Sequence, residues 1–477
     1  MEVPYPNDIA QRFAPLAQQP WAMLLDSCAT GGERGRYSMI AAEPVYRLWR
    51  EGGQTWVAGP DDVARVHPGE ALTTLRQLLS RLPVPEKRPS DLPFVGGAVG
   101  YLAYDFGLEL QGIEHHGGGS LPEISLGIYD GAYVVDHERR QAWLTSLDST
   151  ARSRERWSHR VDHFSRPPAE SASVPPFRLR EPVQARWSWA DYAAAFARVQ
   201  DYIHAGDCYQ VNLAQAFSAA CTGHPWSLYR DLREVNAAPF AAYLALPQGA
   251  ILSLSPERLL TLRDSRMEAR PIKGTRPRLP DPEADLRMIE ALLHSPKDRA
   301  ENIMIVDLLR NDLGRVAAIG SVTVPELCRL ESFAHVHHLV SSVRAQLAPG
   351  ADAISALQAV FPGGSITGAP KHRAMEIIAE LEAGPRGMYC GSIGYMDVAG
   401  AMDMNIAIRS LTVANGRVTF WAGGGIVADS RAAAEYQECL DKVAPFHAVL
   451  SGKTTLAAET DGSRSRSLTL SHEQVSQ

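Results

Sequence analysis

Between residues 188 and 206 the apolar side chains Tyr192, Phe196, Val199 and Ile203 recur every three or four positions, the spacing that gathers them on one face of a helix. Ser188 and Asp191 form a capping-box pair at its start, and Gly206 ends it. The next stretch, 208–219, alternates instead. Tyr209, Val211 and Leu213 share one side of a strand, and Gln210, Asn212 and Ala214 share the other. The two amides face either solvent, the ordinary outcome for a half-buried strand, or a polar cleft. Further helices are predicted after Ser295 with Pro296 and Asp298 in the first turn, over 372–382, and over 431–450 after Asp429 and Ser430. Nearer the N-terminus, 45–49 and 132–135 read as short strands and 70–82 as a helix.

Four prolines among small polar residues at 166–176 mark a connector between an N-terminal region, 1–165, and a main region, 177–452. A polar tail, 453–477, is expected to be mobile.

Composition narrows the function classes. With 45% hydrophobic and 21% charged residues, the 477-residue chain is a globular protein, not a disordered or fibrous one. Its net charge of −7 calls for no nucleic acid and no anionic membrane as main partner, so an anionic substrate must meet a local basic site. Six scattered cysteines without a CxxC spacing suit a reducing compartment. The first twenty residues do not form a secretion signal, and no run of 18 apolar residues occurs; a cytoplasmic location is expected.

Several segments carry candidate chemistry. Asp298 and Glu301 share one helix face, and Glu435, Glu438 and Lys442 share another. Such pairs are usually a solvated face, but two helices presenting carboxylates can also hold a hard cation such as Mg2+. The turn at 271–278 packs Lys273, Arg276 and Arg278 around Gly274. An exposed basic loop is the common explanation, whereas crowding by other cations would push Lys273 toward a neutral, nucleophilic amine. The glycine-rich stretch 361–371 continues Ala-Pro-Lys where a nucleotide P-loop needs Gly-Lys-Ser/Thr, which disfavours ATP. His337 and His338 fall on opposite faces of a strand, and no supporting ligand argues for zinc.

Taken in order, Ser-Pro-Glu at 255–257, Pro-Ile-Lys-Gly-Thr-Arg at 271–276, Asp-Arg-Ala-Glu at 298–301, His338, Gly-Ser-Ile-Thr-Gly-Ala-Pro-Lys at 364–371, Ile408 with Arg409, and Gly-Gly-Gly-Ile at 423–426 with Glu435, Glu438 and Lys442 resemble the chorismate-utilising enzymes. The resemblance covers about 188–449, and 24–27 and 93–101 look like the N-terminal region of the two aminating branches. It implies an α+β fold of α/β/β/α layers, two packed antiparallel sheets flanked by helices. It also implies Mg2+ held by Glu301 and Glu438, with Asp298 and Glu435 beside them. Arg409, Tyr389, Lys442, Gly425, Gly274 and Thr275 would hold the substrate carboxylates. Thr367 and His338 would line the cleft near the reacting ring, with His338 among the catalytic residues, and Glu257 would protonate the departing C4 hydroxyl.

Two positions select a branch. The water-adding relatives carry a lysine where Gln210 stands, so ammonia attack is expected here. Anthranilate synthases usually carry alanine at Lys273, whereas aminodeoxychorismate synthases commonly carry this lysine, which implies covalent attack by Lys273 on C2 and amination at C4. The runner-up within the family is anthranilate synthase component I. A chorismate- or tryptophan-binding regulatory protein without catalysis is the alternative from another class. No segment resembles a glutamine amidotransferase, so ammonia is expected from a separate glutaminase subunit. The segment ending at Ser27 resembles one that helps bind tryptophan in relatives, which makes tryptophan a candidate ligand.

Overall fold

The computed structural model describes residues 1–28, 35–86, 92–114, 117–147, 151–166, 174–333, 336–382 and 384–452. The tail from 453 and most of the proline-rich connector lie outside them. Local signals are honoured where the chain caps itself. The helix Trp189–Ala205 has both reciprocal bonds of the Ser188/Asp191 capping box, and Gly206 closes it with a left-handed φ of 83°. Pro296–Gly314 begins where the Ser295 side chain accepts from the Asp298 N–H, and Ala432–Leu450 and Lys371–Leu381 lie where they are expected.

Among the described residues the strands form two sheets, of thirteen and twelve strands, with antiparallel pairing throughout. Strands from both ends of the chain interleave in each. Met23–Asp26 pairs with Phe240–Leu246 in the first sheet, and Gly97–Leu102 pairs with Ser392–Asp397 in the second. The sheets pack face to face: Met39, Val134, Leu244 and Ile251 of the first share a buried cluster with Val99, Tyr101 and Ile393 of the second. Helices cover the outer faces. Cys439, Val443 and Phe446 pack on Phe217 and Phe420 of the first sheet. Leu309, Leu313 and Leu357 pack with Leu260, Leu262 and Val343 of the second. Burying a side chain such as Phe420 stabilises by about 1.5–3 kcal/mol, and this repeated over both faces is what holds the four layers together. The expected α/β/β/α architecture is the observed one.

Two of the points at which the chain passes from one sheet to the other matter for the site. Gly249–Ser255 of the first continues as Arg258–Arg263 of the second, and Met402–Asn405 of the second returns as Ser410–Ala414 of the first. The crossings lie side by side. The Ser255 hydroxyl donates to the Ile406 carbonyl at 2.6 Å, the Ile406 N–H donates to the Glu257 carbonyl at 3.0 Å, and the Leu254 N–H donates to the Arg409 carbonyl at 3.0 Å.

The strand Gln210–Thr222 corrects the solvent outcome for its polar face. Gln210 is 0% exposed and Asn212 6%, because the strand is flanked by Arg417–Ile426 and Gly368–Ala369 and both its faces are covered. No helix among the described residues is long and apolar enough to cross a membrane.

Candidate active site

Each of these two crossings carries one chemically active side chain. Glu257 sits on the first, buried, with its own N–H donating to Ser255 Oγ at 3.2 Å. Arg409 sits on the second with a left-handed φ of 51°, a conformation that tight ties on either side must maintain. Its side chain is accessible to solvent, yet enough protein crowds it that burial lowers its pKa. The cation is thus both crowded and reachable, and no ion pair with Arg409 occurs among the described residues.

The glycine-rich segment arches over Glu257. Its short turn Gly364–Ile366 puts Ser365 Oγ within 2.9 Å of Glu257 Oε1, donating to it. The Ser365 carbonyl accepts from Lys273 Nζ at 3.2 Å. The segment is fixed from several sides: Arg386 donates to the Ile366 carbonyl at 3.2 Å, the Asn212 N–H donates to the Thr367 carbonyl at 2.8 Å, and Lys371 Nζ meets Asp312 Oδ2 at 2.5 Å. Thr367 is fully buried, and its hydroxyl donates to the Gly363 carbonyl at 3.0 Å, so it shapes the arch.

Lys273 enters from the strand Ile272–Pro277, half-buried. Burial lowers its pKa and Lys442 adds to that, while Glu301 and Glu257 oppose without restoring the ordinary value. The register slips at the next residue, where Gly274 takes φ 81°. A Cβ there would stand 2.9 Å from Asp298 Cβ, so glycine is required by space as well as by conformation. Thr275 Oγ1 and His338 Nδ1 share a 2.9 Å hydrogen bond at the cleft rim. His337, one residue away on the opposite face, is buried against Ser332 and Asp285.

The acidic cluster forms the wall beside Lys273. Burial raises the pKa of Glu301, and its neighbours Asp298 and Glu435 add to the rise, against Lys273 and Lys297. Burial pushes Glu438 up as well, but Lys442 at 2.8 Å outweighs it, leaving that carboxyl below its ordinary range. Lys442 also donates to the Gly423 carbonyl at 2.8 Å, and Asp298 accepts from Arg276 at 3.0 Å. The absence of a side chain at Gly424 is what lets these groups converge: a Cβ there would lie 3.1 Å from Glu435 Oε2, 3.8 Å from Glu438 Oε1 and 3.9 Å from Lys442 Nζ. Among the described residues no three His, Cys, Asp or Glu side chains come close enough to hold a metal unaided. Oxygen donors round an open cradle still fit Mg2+, which keeps waters and shares a substrate's oxygens.

Two more expected residues flank this wall. Gln210 is buried against the Gly423–Ile426 run, and neither its amide nitrogen nor its oxygen has a hydrogen-bond partner. Leaving such groups unsatisfied costs about 1–3 kcal/mol each. Tyr389 is buried with its ring stacked on Trp421 at 6.1 Å and 9°, and burial raises its pKa. Ser255, Ser365 and the Lys371–Asp312 pair are the parts sequence reasoning missed. Ser365 and Lys371 lie in a motif already singled out, but nothing in the pattern says which way a hydroxyl points.

A second cavity, of about 90 Å³, lies away from this cleft beside Asp26, Ser27, Tyr37 and Phe240. Ser27 is buried there and its hydroxyl donates to the Tyr37 carbonyl at 2.6 Å.

The chorismate binding enzyme family model matches residues 22–448, and the chain belongs to that family of chorismate-utilising enzymes. Within it, the chain is 46% identical to the aminodeoxychorismate synthase component 1 of Klebsiella aerogenes over 93% of this chain and 97% of that protein. It is 47% identical to that of Escherichia coli K12 over 90% and 93%. Among solved structures, anthranilate synthase component I from Streptococcus pneumoniae TIGR4 superposes with a TM-score of 0.76 at 31% identity, covering 87% of this chain and 93% of that one.

Proposed function

We propose that the chain aminates chorismate at C4 with ammonia, giving 4-amino-4-deoxychorismate for para-aminobenzoate and folate synthesis. The observation that carries this reading is the Lys273–Ser365–Glu257 bridge: a half-buried amine with a lowered pKa and a buried carboxyl, joined through one residue. The names of the relatives of similar length support the same reaction.

The neutral amine of Lys273 attacks C2, both conjugated ring double bonds shift, and the C4 hydroxyl leaves as water with the proton of Glu257. Ammonia then adds at C4, both double bonds shift back and the C2–N bond breaks. The lysine amine leaves neutral, and the proton lost by the new amine returns to Glu257. Arg409 and Lys442 receive the substrate carboxylates, and His338 with Thr275 orders the rim. Gln210 offers a donor and an acceptor but no basic lone pair, so it cannot activate water as a lysine would. Glu301 and Glu438, with Asp298 and Glu435 beside them, would hold Mg2+, which would neutralise the ring carboxylate when bound.

A separate glutaminase subunit supplies the ammonia in this reading, in keeping with the "component 1" naming of the relatives. Tryptophan is the ligand proposed for the cavity beside Ser27, testable by calorimetry. The deciding experiment incubates the pure chain with chorismate, Mg2+ and an ammonium salt and identifies the product by mass. Aminodeoxychorismate supports the reading; anthranilate, isochorismate or no turnover overturns it.

A further inference from the structure

Ser365 touches both proposed reacting groups through different atoms. Its hydroxyl serves Glu257 and its backbone carbonyl serves Lys273, at 2.9 and 3.2 Å. The residue itself is buried, and the turn that carries it is tied to the Arg386 guanidinium, the Asn212 N–H and the Thr367 hydroxyl. The guanidinium is itself locked by a buried ion pair with Glu382 at 2.7 Å. Ser365 therefore has little freedom of its own and can transmit a fixed geometry to its two partners.

From this geometry, and resting on the roles proposed for Glu257 and Lys273, we infer that Ser365 is a positioning residue that aligns the proton donor with the nucleophile on one rigid turn. The chemistry of each contact says how. A carboxyl oxygen that accepts from a hydroxyl is the disfavoured place for that carboxyl's own proton. The hydrogen bond to Oε1 thus biases the transferable proton to Oε2. An amine that donates one N–H to a fixed carbonyl has its lone pair turned away from that carbonyl. Both partners are then oriented before substrate arrives, and the loss of orientation should appear in turnover more than in binding.

The test compares steady-state amination of chorismate by the parent, Ser365→Ala, Ser365→Thr, Glu257→Gln and the Glu257→Gln/Ser365→Ala pair, with thermal unfolding of each. Alanine removes the hydroxyl and keeps the carbonyl. We expect kcat to fall about 10- to 100-fold, less than the ~100- to 10,000-fold a positioned acid supplies, with KM for chorismate changed less than about threefold. Threonine restores a hydroxyl and should recover most of the loss. In the Glu257→Gln background Ser365→Ala should add almost nothing, because the group it positions is already gone. Losses that multiply in the double variant, or a KM effect larger than the kcat effect, would overturn the positioning role. If Ser365→Ala unfolds, Ser365→Cys, similar in size and a weak donor, takes its place with the same expected outcomes. Normal turnover in Glu257→Gln would instead remove the proposed acid. A collapse in Glu257→Gln with normal turnover in Ser365→Ala would overturn only the role of Ser365.

Discussion

The amide nitrogen of Gln210 lies 2.8 Å from where a Cβ on Gly425 would stand. Neighbouring strands pair Asn212 with Gly425, and the missing side chain is what makes room for the buried, unpartnered amide. Gly425→Ala must push that amide aside within a space sealed from solvent. We expect kcat/KM for chorismate to fall at least about tenfold, with the melting temperature altered by only a few degrees. Parent-like kinetics would show that the amide does not work in the position it holds.

Lys273 makes opposite demands on stability and activity. Its pKa in the folded chain is lowered, chiefly by burial, so between that value and the unfolded value near 10.4 the unfolded chain binds more protons. Stability therefore rises with pH through this window, and below it the full penalty of a buried ammonium is present. Lys273→Met removes that penalty. It should melt higher than the parent at neutral pH, by on the order of 1–3 °C, with the gap closing toward pH 10. The same substitution should abolish aminodeoxychorismate formation. Parent activity should climb as pH rises through the lowered pKa. An unchanged amination rate in the variant would end the covalent role.

The Lys371–Asp312 pair anchors the arch to the helix Pro296–Gly314. Both side chains are nearly inaccessible, at 10% and 4%. Removing one partner leaves a buried charge uncompensated, and Lys371→Met should cost about 3–5 kcal/mol. Burial already raises the pKa of Asp312 even with the lysine present. Without the lysine it rises further, the folded chain binds the extra proton, and the deficit should shrink as pH falls toward 5. Urea unfolding at pH 5 and pH 8 checks this. A deficit that does not depend on pH would mean Asp312 has found another partner. Adding Asp312→Asn should recover part of the loss.

Much of this was legible from local patterns, and the rest failed for identifiable reasons. The helices after Ser188 and Ser295 write their own boundaries, because a cap is a bond between residues three apart. The acidic faces of Glu301 and Glu438 follow from helical spacing. The burial of Gln210 does not, since alternation says which residues share a face and not what covers that face. The Ser365–Glu257 bond joins residues 108 apart, and the crossings that bring Glu257 and Arg409 together are a property of two sheets at once. The family resemblance supplied the pairing of these segments, and the geometry supplied the hydroxyl between them.

Glu301 is the carboxyl on which the proposed magnesium dependence turns. Burial raises its pKa, and Asp298 and Glu435 raise it further. A carboxyl that holds its proton above the ordinary range must release it to bind a cation, so protons compete with the metal at a higher pH than for a surface glutamate. Half-saturation by Mg2+ should therefore move to higher concentration as pH falls from 8 to 6. Glu301→Gln removes both the charge and the competition. It should need at least about ten times more Mg2+ for half-maximal turnover, a requirement nearly independent of pH. The fold should survive, because the removed charge was already disfavoured by burial, and the melting temperature without metal should equal or exceed that of the parent. Activity titrations with Mg2+ at three pH values, on parent and variant, read both effects. Equal half-saturation in the two proteins would remove Glu301 as a ligand, and would move the role to Glu435, whose carboxyl stands nearest the cradle at Gly424.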